Sequence, residues 1–353
     1  MCLGLALACL VMSGCGSLPV PREMGDMALL RTMGVDSQEG ELLVTVSTGP
    51  RARGLQGEQQ PALMLSAQGR TLSAAVLSLQ RLSDSYVFFG YIDQLLLGEE
   101  LARQGVEPVL DYFARDVELG LGAQLWLVRE TTAGEAVRSG GDEGVEGRLS
   151  TLQTDGEMGI SAITRTAGEV LSDLMEWGTA YVPALVCTQE GEAVSLRESG
   201  YAVLKDGALA GFLDGEAAKG LELLAGREGG DVLEVELSGE TVAVRLGRTK
   251  TSCRWSDAGD TIQVTCRIQA RLAEYCQPLS REELELADRQ LEEQERARIQ
   301  AALEQMQAWG TDCTGLSARA ALASPGQWGT RLDAGQFSEQ AIEVEVQVSI
   351  LDS

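Results

Sequence analysis

The chain has 353 residues, with 53 Asp and Glu against 28 Lys and Arg and a net charge of −25. That balance excludes a nucleic-acid partner, whose phosphates would repel it, and adhesion to anionic lipid by charge alone. Histidine is absent, which removes Ser-His-Asp and Cys-His nucleophiles and histidine-based zinc catalysis, leaving chemistry by carboxylates, Lys or Tyr.

Hydrophobic residues make up 44% of the chain, and its length is sufficient for two domains. Leu3 to Cys15 is an apolar run, too short for a permanent membrane helix of about 20 residues. It suits the core of a secretory signal, with Ser13 and Gly14 as the small residues before a cut. Met12-Ser13-Gly14-Cys15 resembles a lipobox, the bacterial lipoprotein signal. On that reading residues 1–14 are a signal peptide, and Cys15 is S-acylated and becomes the new N-terminus. No Lys or Arg precedes the run. The plainer alternative is a buried N-terminal segment with a chance cysteine. Residues 1–14 carry no charged side chain, so the mature chain keeps the full acidic excess. An acidic protein at a membrane needs covalent lipid, and two acyl chains hold where one is marginal.

After a Pro-containing connector (Gly16 to Arg22), Met27–Val35 and Glu41–Ser47 read as a hairpin around a turn at Asp36–Gly40. Residues 48–65 read as loop. Thr71–Leu82 is an amphipathic helix, with Leu72, Ala75, Val76, Leu79 and Leu82 at helical spacing. Val87–Leu97 reads as one buried strand, Gly98–Gln104 and Val106–Arg115 as short helices, Ala123–Arg129 as a strand and Thr132–Arg138 as a further helical turn or two. Residues 139–148 are Gly-rich and acidic, the composition of a mobile loop. Ile163–Trp177 is helical and Val182–Cys187 a short strand. Gly200–Leu213 is a hairpin whose Asp206-Gly207 is a strong turn signal. A helix (Glu216–Leu224), a loop (Arg227–Gly230) and strands at Val232–Leu237, Val242–Leu246 and Thr261–Leu272 follow. Ser280–Trp309 is the strongest helix, with a capping box at Ser280 and Glu283. Its apolar residues do not keep a heptad, which favours a helix lying across a sheet over a coiled coil. Ala341–Leu351 alternates as a terminal strand. The expected fold class is α+β: two mixed α/β regions, residues 15–195 and 196–353, the second an antiparallel sheet packed with the long helix 280–309.

Cys187, Cys253, Cys266, Cys276 and Cys313 remain in the mature chain. Their odd number leaves at least one free or paired with another chain. Cys253 and Cys266 flank a hairpin and either bridge it or stay as buried thiols.

The order of these pieces resembles the Ger(x)C (GerAC-like) lipoproteins, the C subunits of nutrient-germinant receptors in endospore-forming bacteria. The most specific stretch is Tyr86 to Arg129. It contains Phe89-Gly90-Tyr91, where the family has a histidine at the third place, then Leu97-Gly98-Glu99-Glu100-Leu101-Ala102 and Phe113-Ala114-Arg115-Asp116. Met33-Gly34-Val35-Asp36, Gly200-Tyr201-Ala202-Val203, Leu209-Ala210-Gly211-Phe212-Leu213 and the long charged helix before a final strand add to it. The resemblance implies a non-enzymatic subunit, without cofactor or metal, lipid-anchored at the outer face of the inner spore membrane. Its implied partners are an integral transporter-like subunit and a second multi-spanning subunit, and its implied role is assembly or signal coupling.

Candidate sites are few. Glu99 and Glu100 are neighbours on a helix and do not converge on one bond; a helix N-terminus suits them better. Strand alternation splits Tyr86, Phe88, Phe89 and Tyr91 between core and surface. Gly140-Gly141 and Gly229-Gly230 lack the strand–helix setting of a phosphate loop. Arg115-Asp116 is a structural ion pair or a partner contact. Two further functions stay open. An extracytoplasmic solute-binding lipoprotein requires a deep cleft between domains, and a carboxylate-based wall hydrolase requires two acids about 5–10 Å apart in one groove.

Overall fold

Three two-residue turns each join a pair of antiparallel strands. Glu39-Gly40 (φ 52° and 82°), Asp206-Gly207 (48° and 77°) and Ser238-Gly239 (53° and 86°) all take the left-handed conformation. This type I′ geometry matches the twist of paired strands. The computed structural model describes residues 27–52, 59–191, 193–226, 231–275, 278–325 and 334–351. Residues 1–26, where a signal peptide, the lipidated Cys15 and a connector are expected, lie outside the described residues, as do 227–230, expected as a loop, and Cys276.

The strands are β1 (Met27–Leu29), β2 (Thr32–Gln38), β3 (Glu41–Ser47), β4 (Arg51–Ala52), β5 (Gln59–Gln60), β6 (Met64–Gly69), β7 (Tyr86–Phe88), β8 (Gln94–Gly98), β9 (Gln124–Arg129), β10 (Thr179–Glu190), β11 (Ala193–Lys205), β12 (Ala208–Leu213), β13 (Val232–Leu237), β14 (Glu240–Trp255), β15 (Thr261–Glu274) and β16 (Ala341–Leu351). The helices are α1 (Leu72–Leu82), α2 (Glu99–Gln104), α3 (Glu107–Arg115), α4 (Ala133–Arg138), α5 (Glu146–Glu157), α6 (Ala167–Trp177), α7 (Gly215–Leu224), α8 (Arg281–Trp309) and α9 (Leu316–Ala323).

An eight-stranded sheet runs β12-β11-β10-β9-β8-β2-β3-β6. Its middle, β10-β9-β8-β2, is parallel, and antiparallel pairs extend it on both sides. The central strands read as continuous apolar runs because helices cover both faces. Leu95, Leu97, Leu125 and Leu127 meet α1, α3 and α6, while Leu96, Trp126 and Val128 meet α4 and α5. Pro183, which cannot donate to a ladder, sits at the irregularity in β10 just before pairing with β9 begins at Ala184.

The second sheet runs β13-β14-β15-β16. Its first three strands are antiparallel; β16 joins β15 in parallel, because α8 carries the chain back to the end where β15 began. One face is polar, and the other packs on α7, α8 and α9 through Leu233, Val235, Ile262, Val264 and Ile268. The capping box of α8 forms as Ser280 and Glu283 imply, and Gly310 closes the helix in a left-handed C-cap.

Several sequence expectations change. Met27–Val35 is two strands, β1 and β2, with β1 paired to β7, and β2 runs on through Asp36–Gln38, so the turn before β3 is only Glu39-Gly40. Val87–Leu97 is two strands, β7 and β8, because the turn at Gly90 and Tyr91 separates them. The loop expected over 48–65 contains β4 and β5 and the start of β6. The stretch 139–148 holds a 3-10 turn and the start of α5, a helix with only Leu149 and Leu152 buried. The large sheet also continues through β11 and β12 to Leu213.

Candidate functional site

Two motif stretches far apart in sequence meet at Asp36. Alternation along β2 turns Met33 and Val35 into one core and leaves Gly34 and Asp36 facing α4. The buried Asp36 carboxylate accepts from the backbone N–H of Ala133 and of Gly134, both at 2.8 Å. It therefore holds two of the first N–H groups of α4, which have no partner within the helix. Burial raises the Asp36 pKa, with the Gly134 and Ala133 N–H groups opposing. The surrounding glycines leave it room. A Cβ on Gly98 would stand 2.1 Å from Asp36 Oδ1, and one on Gly34 would stand 2.9 Å from the Ala133 carbonyl oxygen. The Gly98-Glu99-Glu100 and Gly34-Val35-Asp36 stretches are thus parts of one packed node. Asp36→Ala leaves both N–H groups buried and unpaired and lowers stability by about 2 kcal/mol, with Asp36→Asn intermediate. Urea denaturation checks both; a wild-type midpoint for Asp36→Ala would refute the role.

The remaining sequence candidates are positioned as follows. Glu99 and Glu100 open α2 and bond one turn ahead to Arg103 and Gln104, so they do not converge. Phe89 is buried, Tyr86 and Phe88 are half-buried, and Tyr91 is exposed. Arg115 pairs with Asp111 at 2.8 Å, while Asp116 accepts from the N–H of Glu118 and Leu119. These two side chains act within their own segment rather than with each other. Gly140 lies against the Gly144 backbone. Cys187, Cys253, Cys266 and Cys313 are free thiols. Burial pushes the Cys266 thiol up to about 11 and raises that of Cys313, which makes both poor nucleophiles.

The junction between the two sheets carries contacts that no local pattern announces. Arg129 Nη1 donates to both carboxylate oxygens of Asp214, at 2.9 and 2.7 Å, and its guanidinium stacks 4.4 Å from the Phe212 ring centre. Tyr201 Oη accepts from the Ile163 N–H and donates to Glu222, both at 2.7 Å. Lys205 donates to the Trp309 carbonyl at 2.9 Å, and the Trp309 ring packs where a Gly211 Cβ would otherwise stand. Tyr181, Tyr201, Val203 and Leu213 of the large sheet belong to the same apolar core as α7 and α8. A pocket of about 410 Å³ opens at this junction, lined by Arg165, Asp173, Trp177, Tyr181, Cys313 and Arg319. Its cations are already engaged. Arg165 pairs with Asp173 at 2.5 Å and lies over Tyr181, and Arg319 donates to the carbonyls of Leu224 and Thr251. Among the described residues there is no group of three or more metal-ligating side chains, and no helix long and apolar enough to cross a membrane.

Two family models match the chain. The spore germination protein N-terminal domain covers residues 21–186, and the spore germination B3/GerAC-like C-terminal domain covers residues 199–353. The chain belongs to the GerAC-like spore germination family. Its structure is similar to the crystal structure of the GerBC protein, with a TM-score of 0.59 and 16% identity over 91% of this chain and 97% of that one. Comparison with curated proteins finds no match. The interval between the two GerAC-like matches, 187–198, falls in the β10–β11 hairpin. The C-terminal family domain therefore supplies β12 and the later part of β11 to the N-terminal sheet. The two family domains form one continuous structure, joined by strand pairing as well as by the Tyr181–Tyr201 core.

Proposed function

We propose that this GerAC-like chain is the non-enzymatic, lipid-anchored C subunit of a nutrient-germinant receptor. It is held at the outer face of the inner spore membrane by acylation of Cys15. There it serves assembly or signal coupling with the receptor's integral transporter-like and multi-spanning subunits. The observation that carries this reading is the family match over both halves of the chain. The junction supports it. Regions that share Tyr181, Tyr201, Val203 and Leu213 in one core pass a displacement on together, whereas closure over a solute needs domains free to hinge. The carboxylates Glu216, Glu222, Asp231 and Glu295 gather around Lys219 and Arg298. The cavity beside Glu295 is about 20 Å³, room for a water molecule and not for a glycan.

Deletion of the gene abolishes nutrient-triggered germination and leaves a non-nutrient trigger effective; a normal nutrient response in spores lacking any paralogue would refute the function. Cys15→Ser folds normally and moves from the membrane fraction to the soluble fraction. Complete retention with membranes would show that partners, not lipid, hold the chain.

A further inference from the structure

The first described strand begins an apolar face that the fold leaves open. β1 pairs in parallel with β7, in the register Met27↔Tyr86, Ala28↔Val87 and Leu29↔Phe88. Paired residues of parallel strands share a face. Ala28 and Val87 point into the core at 1% exposure each. Met27, Leu29, Tyr86 and Phe88 therefore make up the outer face, and each is only half-buried. Tyr91 extends it, with its ring edge-on to Phe88 at 5.7 Å and 47% exposed. The turn after α3 lies alongside. Glu118 accepts from Tyr86 Oη and from the Phe89 N–H, which leaves the adjacent Val117 pointing outward at 99% exposure.

We propose that this face is a membrane-contact surface that seats against the lipid headgroup boundary and fixes the orientation of the tethered chain. The inference rests on the anchor at Cys15. Between Cys15 and the start of the face lie residues 16–26, a stretch whose extended reach is about 40 Å at most. The face is thus the apolar ground where the tether enters the fold. Its composition suits a bilayer boundary, where tyrosine rings sit at headgroup depth with their hydroxyls toward water. In the turn beside it, Glu118 is bonded to Tyr86 and Phe89 and Asp116 to its own turn, and the exposed carboxylate of Asp84 stands at the edge, just before β7. The rest of the chain carries a large acidic excess and is repelled by anionic headgroups. An acyl chain alone supplies attachment without orientation, and this face supplies the orientation.

Hydrogen exchange of the full chain, acylated on Cys15 and bound to phosphatidylcholine–phosphatidylglycerol vesicles, tests the inference against the soluble Cys15→Ser chain. Exchange over residues 27–31, 86–92 and 116–120 should slow by about fivefold or more on vesicles. The segments around the exposed Met158, Ile160 and Met175, which lie elsewhere in the chain, should not change. Tyr91→Glu with Val117→Glu, both at exposed positions, should keep vesicle binding and lose the protection. A vesicle-bound chain with no slowing at these segments overturns this inference and leaves the anchor standing. Slowing that appears only when the integral membrane subunits are added assigns the face to a protein partner and also overturns it. Failure of the acylated chain to bind vesicles removes the anchor and this inference with it.

Discussion

Gly220→Ala destabilises the chain by about 3 kcal/mol. In an open helix the same change gains up to about 1 kcal/mol, because glycine has the larger entropy to lose. Here the sign reverses. Gly220 lies in α7 where it crosses α8, and a Cβ would stand 2.0 Å from the Arg298 carbonyl oxygen, 2.6 Å from its carbon and 2.9 Å from the Ala302 Cβ. The obstacle is the backbone of another helix, so no side chain can rotate away, and α7 must lift off α8. That movement pulls on Tyr201, whose hydroxyl is bonded to Glu222 of the same helix. Gly147→Ala, in α5 with nothing within 4 Å of the new methyl, is the control and should be neutral or stabilising. Urea denaturation of the two variants decides the point. If Gly220→Ala matched wild type, the close crossing of α7 and α8 would be wrong.

Glu295→Gln raises stability at pH 8 and flattens its pH dependence. Glu295 projects from α8 into the interior at 1% exposure. Its Oε1 accepts from Arg298 at 2.8 Å, and its Oε2 has no partner among the described residues. Burial is the main cause of a pKa pushed up to about 7 from an ordinary 4.5; Arg298 opposes the shift, and Asp231 and Glu216 add to it. The folded pKa lies above the unfolded one, so between pH 4.5 and 7 the native chain holds a proton that the unfolded chain has released. Stability is therefore full below that window and falls as pH rises through it, by up to about 3 kcal/mol. The amide keeps the shape and an acceptor for Arg298, which retains Glu216 at 2.6 Å and Asp231 at 4.0 Å. Denaturation midpoints of the two chains should converge at pH 4.5 and separate by pH 8, with the variant the more stable. An unchanged pH slope would reject a protonated Glu295 in the native state.

Both predictions concern residues with no local signature. Gly220 reads as an ordinary glycine in a short helix, and Glu295 as one more acid on a helix rich in acids. Asp36 was legible as part of a motif but not as a helix cap, since its partners Ala133 and Gly134 lie about a hundred residues away. The junction residues Arg129, Asp214 and Tyr201 were hidden for the same reason. Helix α5 escaped because two buried leucines among polar residues and glycines give no periodic face. Strand β6 escaped because only Ala67 among its residues is buried.

The sequence by itself determined what depends on near neighbours. The capping box at Ser280 and Glu283, the turn at Asp206-Gly207, the alternation of β16 and the apolar stripe of α1 are all closed by contacts within a few residues. Only the tertiary structure decided which strands meet. The parallel pairing of β2 with β8, β8 with β9 and β15 with β16 joins segments separated by whole helices. A parallel partner is chosen by how the intervening helix packs, not by any turn residue. For that reason the sequence does not show that its two halves share one sheet through the β10–β11 hairpin.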